Sequence, residues 1–108
     1  MTKEDIALSP VGLRFNTGKP AWSLMNYKAM EPMLDVLAYG ANKYARENWQ
    51  KGLVLHEVLE SMQRHLAALM DGETHDEEST LWHIGHIQCN AMFYSYFTTN
   101  TTSPNGKI

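Results

Sequence analysis

Apolar side chains in residues 55–70 recur every three or four positions, and this spacing constrains the fold more than any other feature of the chain. The stripe consists of Leu55, Val58, Leu59, Met62, Leu66 and Leu69. Residues at such spacing fall on one face of an α-helix. Gly72 follows the stripe and tolerates the left-handed conformation in which many helices end. The pattern therefore predicts an amphipathic helix over residues 55–70.

An earlier helix is predicted over about residues 27–46. One of its faces collects Met33, Leu37, Ala41 and Tyr44. Pro32 is expected in the first turn, where the missing N–H of proline costs no hydrogen bond. Gly40 lies inside the pattern at a cost of about 1 kcal/mol relative to alanine. A glycine at this position would permit the close approach of another group.

A later helix is predicted from about Asp76 or Ser79 to Phe97, and apolar residues cover nearly all of its faces. This distribution is typical of a central, buried helix. Thr74 and Glu77 have the spacing of a capping box that would begin the helix.

The two ends of the chain lack such a pattern. Proline and glycine interrupt residues 1–27, which predicts an extended arm or loops, with a short strand over residues 11–15 as an alternative. The polar residues 98–108 predict a flexible tail. The sequence thus predicts an all-α, three- to four-helix bundle over residues 28–97, preceded by an extended N-terminal arm.

Composition narrows the class of protein. A formal net charge of -3 over 108 residues argues against a nucleic-acid partner. The single Cys89 excludes an internal disulfide and fits a cytoplasmic location. Neither a membrane-spanning run nor a signal-peptide hydrophobic region is expected. Three tryptophans and seven methionines exceed what a thin bundle readily buries, so we expect a homo-oligomer, a dimer or larger.

Polar residues interrupt the apolar helix near the C-terminus. His83, His86 and Asn90 stand at positions i, i+3 and i+7 and share one stripe. Buried polar groups are costly unless they are partnered, so these three either bond within the core or form a polar site. His65 flanks the stripe of residues 55–70 and is placed to join them. A zinc site is a rival explanation, although neither HExxH nor a cysteine cluster accompanies these histidines.

An acidic cluster precedes these histidines and consists of Glu73, Asp76, Glu77 and Glu78. Carboxylates are hard oxygen ligands that suit Mg²⁺ or Mn²⁺, which also bind water and substrate phosphates. Glu73 and Asp76 would share a helix face if the helix begins early enough. The alternative is a solvated acidic turn that compensates the dipole of the following helix.

Cationic, amide and aromatic side chains mix where the helix after residue 27 should end. Lys43 is a compact charge that suits phosphate, and Lys19 in the arm is a second candidate. Tyr44 and Trp49 offer faces on which a base stacks, and Asn48 both donates and accepts hydrogen bonds. The alternative is a helix end capped by Asn48, with Trp49 packed into the core.

Taken in order, these segments resemble one known family. They read FNTGK at 15–19, YGANKY at 39–44, NW at 48–49, RH at 64–65, GETHDEES at 72–79 and HIGH at 83–86, followed by Asn90. Over about residues 13–97 they resemble the dATP/dGTP diphosphohydrolase N-terminal domain family, known largely from bacteriophages and prophages. That family is regarded as related to the all-α, MazG-like nucleoside triphosphate pyrophosphohydrolases.

The resemblance implies hydrolysis of a purine deoxynucleoside triphosphate, dGTP or dATP, to the monophosphate and pyrophosphate with Mg²⁺ or Mn²⁺. On the matching positions, we assign catalytic roles in the polar wall of the site to His65, His83, His86 and Asn90. We assign metal binding to Glu73, Asp76 and Glu78. We assign substrate binding to Lys19, Lys43, Tyr44, Asn48, Trp49 and Arg64, with the cations on the phosphates and the others on the base.

The chain departs from the family at Asn16, where aspartate is usual, and at Thr80, where glycine is usual. The MazG-like enzymes hold metal on an ExxE helix followed by an ExxD helix, and segments 57–60 and 73–76 supply these two patterns here. If the missing aspartate is catalytic, binding would survive without turnover. The alternative functions are therefore a nucleotide-binding protein that sequesters a nucleotide-derived signal, or a structural helical protein with incidental histidines and carboxylates.

Overall fold

The computed structural model describes residues 2–15 and 17–100 and contains four α-helices within them. They are α1 (Lys3–Leu8), α2 (Tyr27–Lys43), α3 (Leu55–Met70) and α4 (His83–Thr99). Two short 3₁₀ helices span Trp22–Leu24 and Asn48–Lys51. The all-α prediction is confirmed, and residues 11–15 form no strand. Asn16 and residues 101–108, most of the predicted tail, lie outside the described residues.

The central position predicted for the last helix is confirmed, because α4 packs against both α2 and α3. Few described side chains of α2, α3 and α4 are buried, and they are Val36, Val58, His83, Cys89 and Phe97. Ile84 and Tyr96 of α4 remain 41% and 42% exposed, so the helix is not enclosed on every face. Within the part of the chain that the structure describes, no helix combines the length and apolar character of a membrane span.

The N-terminal arm contains a helix that the sequence pattern did not predict. Helix α1 begins with a capping box, in which Thr2 Oγ1 accepts from the backbone of Asp5 and the Asp5 carboxylate accepts from the backbone of Thr2. None of its residues is buried. Because α1 buries no side chain, its sequence shows no sustained apolar periodicity. The capping residues were the sequence signal that could have predicted it.

Helix α2 begins behind Asn26, whose side chain accepts a hydrogen bond from the backbone of Ala29 at 3.0 Å. It ends at Lys43, three residues before the predicted end. The placement of Pro32 in the first turn is wrong, because Pro32 is the sixth residue of the helix. The missing N–H therefore removes one hydrogen bond to the carbonyl four residues earlier.

Helix α3 has the predicted bounds, but the face that it turns toward α4 is rotated from the predicted stripe. Val58 is buried, whereas Leu59 and Leu66 are 41% and 50% exposed. Ser61 and His65 are half-buried in their place. The helix surface that meets α4 is therefore partly polar, and this polarity forms the candidate site described below.

Gly85 allows α4 to approach α2 closely. A Cβ atom on residue 85 would lie 2.7 Å from the carbonyl carbon of Pro32 and closer still to its oxygen. Backbone atoms of a packed helix cannot move aside as a flexible side chain can. A Cβ on Gly40 would meet no atom of the described residues within 4 Å. The glycine that permits close helix contact is therefore Gly85, and the expectation for Gly40 finds no support.

Replacing Gly85 with alanine should lower the free energy of unfolding by about 1–3 kcal/mol, because the methyl group forces the two helices apart. Gly40→Ala is the matched control and should leave stability unchanged or raise it by up to about 1 kcal/mol. Urea denaturation followed by circular dichroism measures both changes. Equal stability of the two variants would contradict the close crossing.

Candidate functional site

A polar cavity of about 500 Å³ opens between the end of α2, the middle of α3, the loop over residues 71–82 and the start of α4. Four separate segments thus meet at one place. Residues assigned from the sequence that line it are Lys43, Tyr44, Arg64, His65, Glu73, Asp76, Glu78, His83 and His86. The structure therefore brings most of the assigned residues into a single site.

A larger cavity of about 830 Å³ adjoins the polar one and is lined mainly by apolar side chains. Its lining includes three further assigned residues, Asn48, Trp49 and Asn90. The two cavities share the walls formed by Tyr39, Tyr44, Ser61 and His86. A ligand that is part polar and part aromatic would fit across this shared wall.

Trp49 contributes to packing as well as to the larger cavity. Its ring stacks on Phe93 with centroids 4.8 Å apart, and it meets Tyr96 and Phe97 edge to face. Packing on Phe93 leaves at most the opposite face of the indole for a base. Asn48 does not cap α2, because that helix ends at Lys43 and Asn48 begins a 3₁₀ helix.

One residue assigned to the site and both residues of the ExxE pattern lie away from the two cavities. Lys19 is exposed in a turn of the arm and lines neither cavity. Glu57 and Glu60, which supply the ExxE pattern, are exposed on α3 and likewise line neither cavity. These two cavities therefore do not reproduce the ExxE and ExxD pairing of the MazG-like enzymes.

The histidines of α3 and α4 lie in direct contact. The Nδ1 atoms of His65 and His83 are 2.8 Å apart, and the rings of His65 and His86 stack in parallel at 4.3 Å. Burial lowers the pKa of His65, and the neighbouring His86 lowers it further. Burial also lowers the pKa of His86. Both rings are therefore neutral at pH 7, the form that accepts protons and binds metal ions.

The loop over residues 71–82 starts from a Schellman motif at the end of α3. Gly72 adopts a φ of 94°, and its backbone N–H donates to the carbonyl of Leu69 at 3.0 Å. The backbone N–H of Glu73 donates to the carbonyl of Ala68 at 2.9 Å. These two bonds close the helix end and direct the chain back toward α4, which sets the position of Glu73 beside the histidines.

The same loop corrects the predicted start of the last helix, which begins at His83 and not at Asp76 or Ser79. The predicted capping box is absent, since the Thr74 hydroxyl bonds to His75 Nδ1 at 2.8 Å instead. Thr80 adopts a φ of 65°, a left-handed conformation that no helix continues through. Glu73 and Asp76 therefore share a loop and not a helix face.

Asp76 is held firmly inside this loop. Its backbone N–H donates to the carbonyl of Leu81 at 2.8 Å, and its side-chain Oδ2 accepts from the backbone of Ser79 at 2.8 Å. Burial acts to raise the pKa of Asp76, but the hydrogen bonds from Ser79 and the nearby imidazoles outweigh burial and hold that pKa below its usual range. The carboxylate is therefore ionised at neutral pH.

The structure groups the candidate metal ligands differently from the sequence. Ligand atoms of His65, Asp76 and His83 all lie within 4.8 Å of one another. Glu73 instead faces His83 Nε2 at 3.1 Å, and Glu78 faces Lys43 Nζ at 3.4 Å. Of the three carboxylates assigned to metal, Asp76 is the one that joins this cluster.

Lys43 stands at the mouth of the polar cavity. Its ammonium lies 5.3 Å from the ring centre of Tyr44 and 5.9 Å from that of Tyr39. Interactions with Tyr44 and then Glu78 raise the pKa of Lys43, so it remains cationic. Because Lys43 and Glu78 are both well exposed, their ion pair is weak.

Four residues that line the polar cavity were not assigned from the sequence: Tyr39, Ser61, Ala68 and Ser79. Ser79 is buried, and its hydroxyl lies 2.7 Å from His86 Nε2. Ser61 accepts a hydrogen bond from Asn90 Nδ2 at 3.2 Å. Tyr39 and Ser61 each precede an assigned residue by one helical turn. Helical spacing could therefore have predicted that both face the site. Ser79 has no such signal, because the loop alone places it.

Comparison with known proteins gives two matches. A family model described as dATP/dGTP diphosphohydrolase, N-terminal, matches residues 9–105. A protein of Salmonella phage PMBT28 named dATP/dGTP diphosphohydrolase is 36% identical over 89 residues, which cover 82% of this chain and 30% of that protein. The chain thus spans less than a third of the length of this relative. No solved structure matches the chain significantly.

The left-handed conformation of Thr80 predicts a difference between two substitutions at this position. Thr80→Gly should be more stable than Thr80→Ala by about 1 kcal/mol, because glycine adopts a positive φ without the strain that a Cβ atom imposes. Both variants lose the threonine side chain, so their difference isolates the backbone effect. Urea denaturation of the two proteins tests this, and equal midpoints would argue against a strained loop.

Proposed function

Since the chain belongs to the dATP/dGTP diphosphohydrolase N-terminal family, we propose that it hydrolyses a purine deoxynucleoside triphosphate, dGTP or dATP, in a metal-dependent reaction. The products would be the monophosphate and pyrophosphate, and the reaction would shape a phage nucleotide pool in the cytoplasm of the host. The observation that carries this proposal is the pairing of the two cavities through a shared wall.

We assign the two parts of the nucleotide to the two cavities. Lys43 and Arg64 would bind the phosphates in the polar cavity, where both side chains line the wall. Tyr44, Asn48 and Trp49 would hold the purine in the larger cavity, which has the size and apolar character of a small-molecule pocket. The α-phosphate would then lie at the shared wall, next to His86.

His86 is the residue best placed to accept a proton. Its lowered pKa keeps the ring neutral, and the Ser79 hydroxyl at 2.7 Å from Nε2 offers the proton a route to the imidazole. Water would add to the α-phosphorus while the bond to the bridging oxygen breaks and pyrophosphate leaves. Lys43 and Arg64 would neutralise the charge that develops on pyrophosphate.

The donor set beside His86 fits a divalent ion, because Asp76 is ionised and His65 is neutral. His83 completes the set, and the Glu73 carboxylate lies within hydrogen-bonding distance of the other ring nitrogen of His83. When bound, such an ion neutralises phosphate oxygens and lowers the pKa of a bound water.

Incubation with each ribo- and deoxynucleoside triphosphate, with and without divalent metal, should yield monophosphate mainly from dGTP or dATP and only with metal. His86→Gln should lower kcat by about 100-fold or more, since it removes the proton acceptor. Asp76→Asn should lower it similarly. His56→Gln is the control, because His56 is exposed on α3 and lines neither cavity. Ion-exchange chromatography measures the products.

Two results of this assay would count against hydrolysis. Nucleotides that stay intact but raise the melting temperature would support the alternative function, sequestration of a nucleotide-derived signal. Full activity of both His86→Gln and Asp76→Asn would place the chemistry elsewhere in the molecule.

We further propose that the chain forms a homodimer or a larger assembly. On α3, Leu59, Leu66 and Met70 are 41%, 50% and 83% exposed and fall on one face. A second copy covering this stripe would remove these apolar side chains from water.

Wild-type protein at micromolar concentration should sediment as a dimer or larger species. Leu66→Lys should shift it toward the monomer by placing a charge within the stripe. Glu57→Lys places a lysine on the opposite face of α3, with a larger change in charge, and should leave assembly unchanged. A clean monomer for the wild-type protein would contradict the proposal.

A further inference from the structure

The donor atoms beside the polar cavity point to a transition-metal centre. We propose that His65, Asp76 and His83 bind one divalent first-row transition ion, such as Mn²⁺, Fe²⁺, Co²⁺ or Zn²⁺, and that Mg²⁺ does not occupy this site. This inference rests on the proposed function for the ion's part in hydrolysis, but binding of the ion stands on the geometry alone.

The distance between the two imidazoles is close to that of neighbouring ligands on one ion. With metal–nitrogen bonds of about 2.0–2.1 Å, adjacent ligand atoms lie about 3.0–3.4 Å apart. His65 Nδ1 and His83 Nδ1 are 2.8 Å apart, and one ligand atom from each of His65, Asp76 and His83 lies within 4.8 Å of the other two. Small side-chain movements would therefore bring all three donors onto a common ion.

His83 is oriented as a metal ligand. Its Nε2 lies 3.1 Å from Glu73 Oε2, so Nε2–H donates to this carboxylate and Nδ1 keeps its lone pair toward His65. Histidines that bind metal commonly donate their second ring nitrogen to a carboxylate in this way. The His83 side chain is only 4% exposed, and its backbone N–H donates to the carbonyl of Thr74 at 2.9 Å. The ring is therefore fixed before any ion arrives.

Asp76 is equally constrained. Its Oδ2 accepts from the backbone of Ser79, while Oδ1 accepts no hydrogen bond within residues 2–15 and 17–100. One oxygen thus fixes the carboxylate and the other is available to a ligand. Because the loop bonds between Asp76 and Leu81 hold the backbone, an ion would not have to order this segment.

The chemistry of the donors decides which ion fits. Imidazole nitrogen suits first-row transition ions, whereas Mg²⁺ requires a nearly octahedral shell of oxygen. Asp76 is the one carboxylate grouped with the two imidazoles in the described residues, and Glu73 faces His83 Nε2. Of the two ions that the family resemblance implies, Mn²⁺ matches this donor set and Mg²⁺ does not.

The competing explanation is a plain hydrogen bond in which one imidazole donates to the other. Both explanations are compatible with a 2.8 Å separation, so the test must measure ion binding directly. Co²⁺ alone is the appropriate probe, because its visible absorption reports nitrogen coordination. The untagged full chain, freed of metal with a chelator and without nucleotide, is titrated with Co²⁺.

Wild-type protein should bind one Co²⁺ per chain at micromolar concentration, and millimolar Mg²⁺ should not displace it. His65→Gln and Asp76→Asn should each weaken Co²⁺ binding by at least about tenfold. Both side chains are only half-buried, so these variants should fold, which circular dichroism confirms. His56→Gln, an exposed histidine on the same helix, should bind Co²⁺ as the wild-type protein does.

Three outcomes would overturn the inference: no Co²⁺ binding, displacement of Co²⁺ by millimolar Mg²⁺, or unchanged binding in His65→Gln. The first would leave the histidine pair as a hydrogen bond. Co²⁺ binding without any nucleotide hydrolysis would instead overturn the proposed function and leave this inference intact. Hydrolysis by a protein that binds no Co²⁺ would overturn this inference and leave the proposed function intact.

Discussion

The cost of burying imidazole groups between α3 and α4 governs the rest of this structure. An apolar bundle accepts such groups only when each has a hydrogen-bonding partner. His83 is satisfied by His65 and Glu73, and His86 by Ser79. Two of these partners come from the loop over residues 71–82. The loop must therefore return against α4 in one specific path, and the bonds around Asp76 and the left-handed Thr80 serve that requirement.

The polar residues between α3 and α4 also explain why the apolar core is small. Ser61 and His65 occupy the surface of α3 that an ordinary bundle would give to leucine. Leu59 and Leu66 are displaced to the flank of the helix and stay partly exposed. The polar lining of the site therefore reduces the apolar area that α3 buries. The polar lining of the site and the exposed leucines of α3 are then two consequences of one orientation of α3.

Much of the fold could be predicted because strong periodicity and a helix-ending glycine occur together. This held for α3, whose stripe and Gly72 define both ends. The start of α4 was missed because Thr80, although it is not glycine, adopts a left-handed conformation that sequence does not reveal. Helix α1 was missed because it buries nothing. For α1, the apolar periodicity that predicts a helix was absent. For α4, the geometry of the preceding loop overrode the helical pattern of the sequence.

The sequence predicted which residues would lie close together better than it predicted the contacts between them. The order of the motifs predicted that Lys43, His65, Asp76 and His83 belong to one site. In the structure, all four line the polar cavity. The choice of the carboxylate that joins the histidines depends on distances of a few ångströms within a loop. The spacing of residues along the sequence does not give these distances. Glu73 and Asp76 are equally acidic in the sequence. In space one faces His83 Nε2 and the other joins the imidazole pair.

Every residue that lines the polar cavity lies between Tyr39 and His86. The cavity is thus assembled from segments that are near one another along the chain, and two of its walls are joined directly by the loop over residues 71–82. Closing such short loops costs little chain entropy, and contacts of this kind form rapidly during folding. The hairpin of α3 and α4, with its loop, thus supplies most of the residues of the polar cavity, and the end of α2 supplies Tyr39, Lys43 and Tyr44.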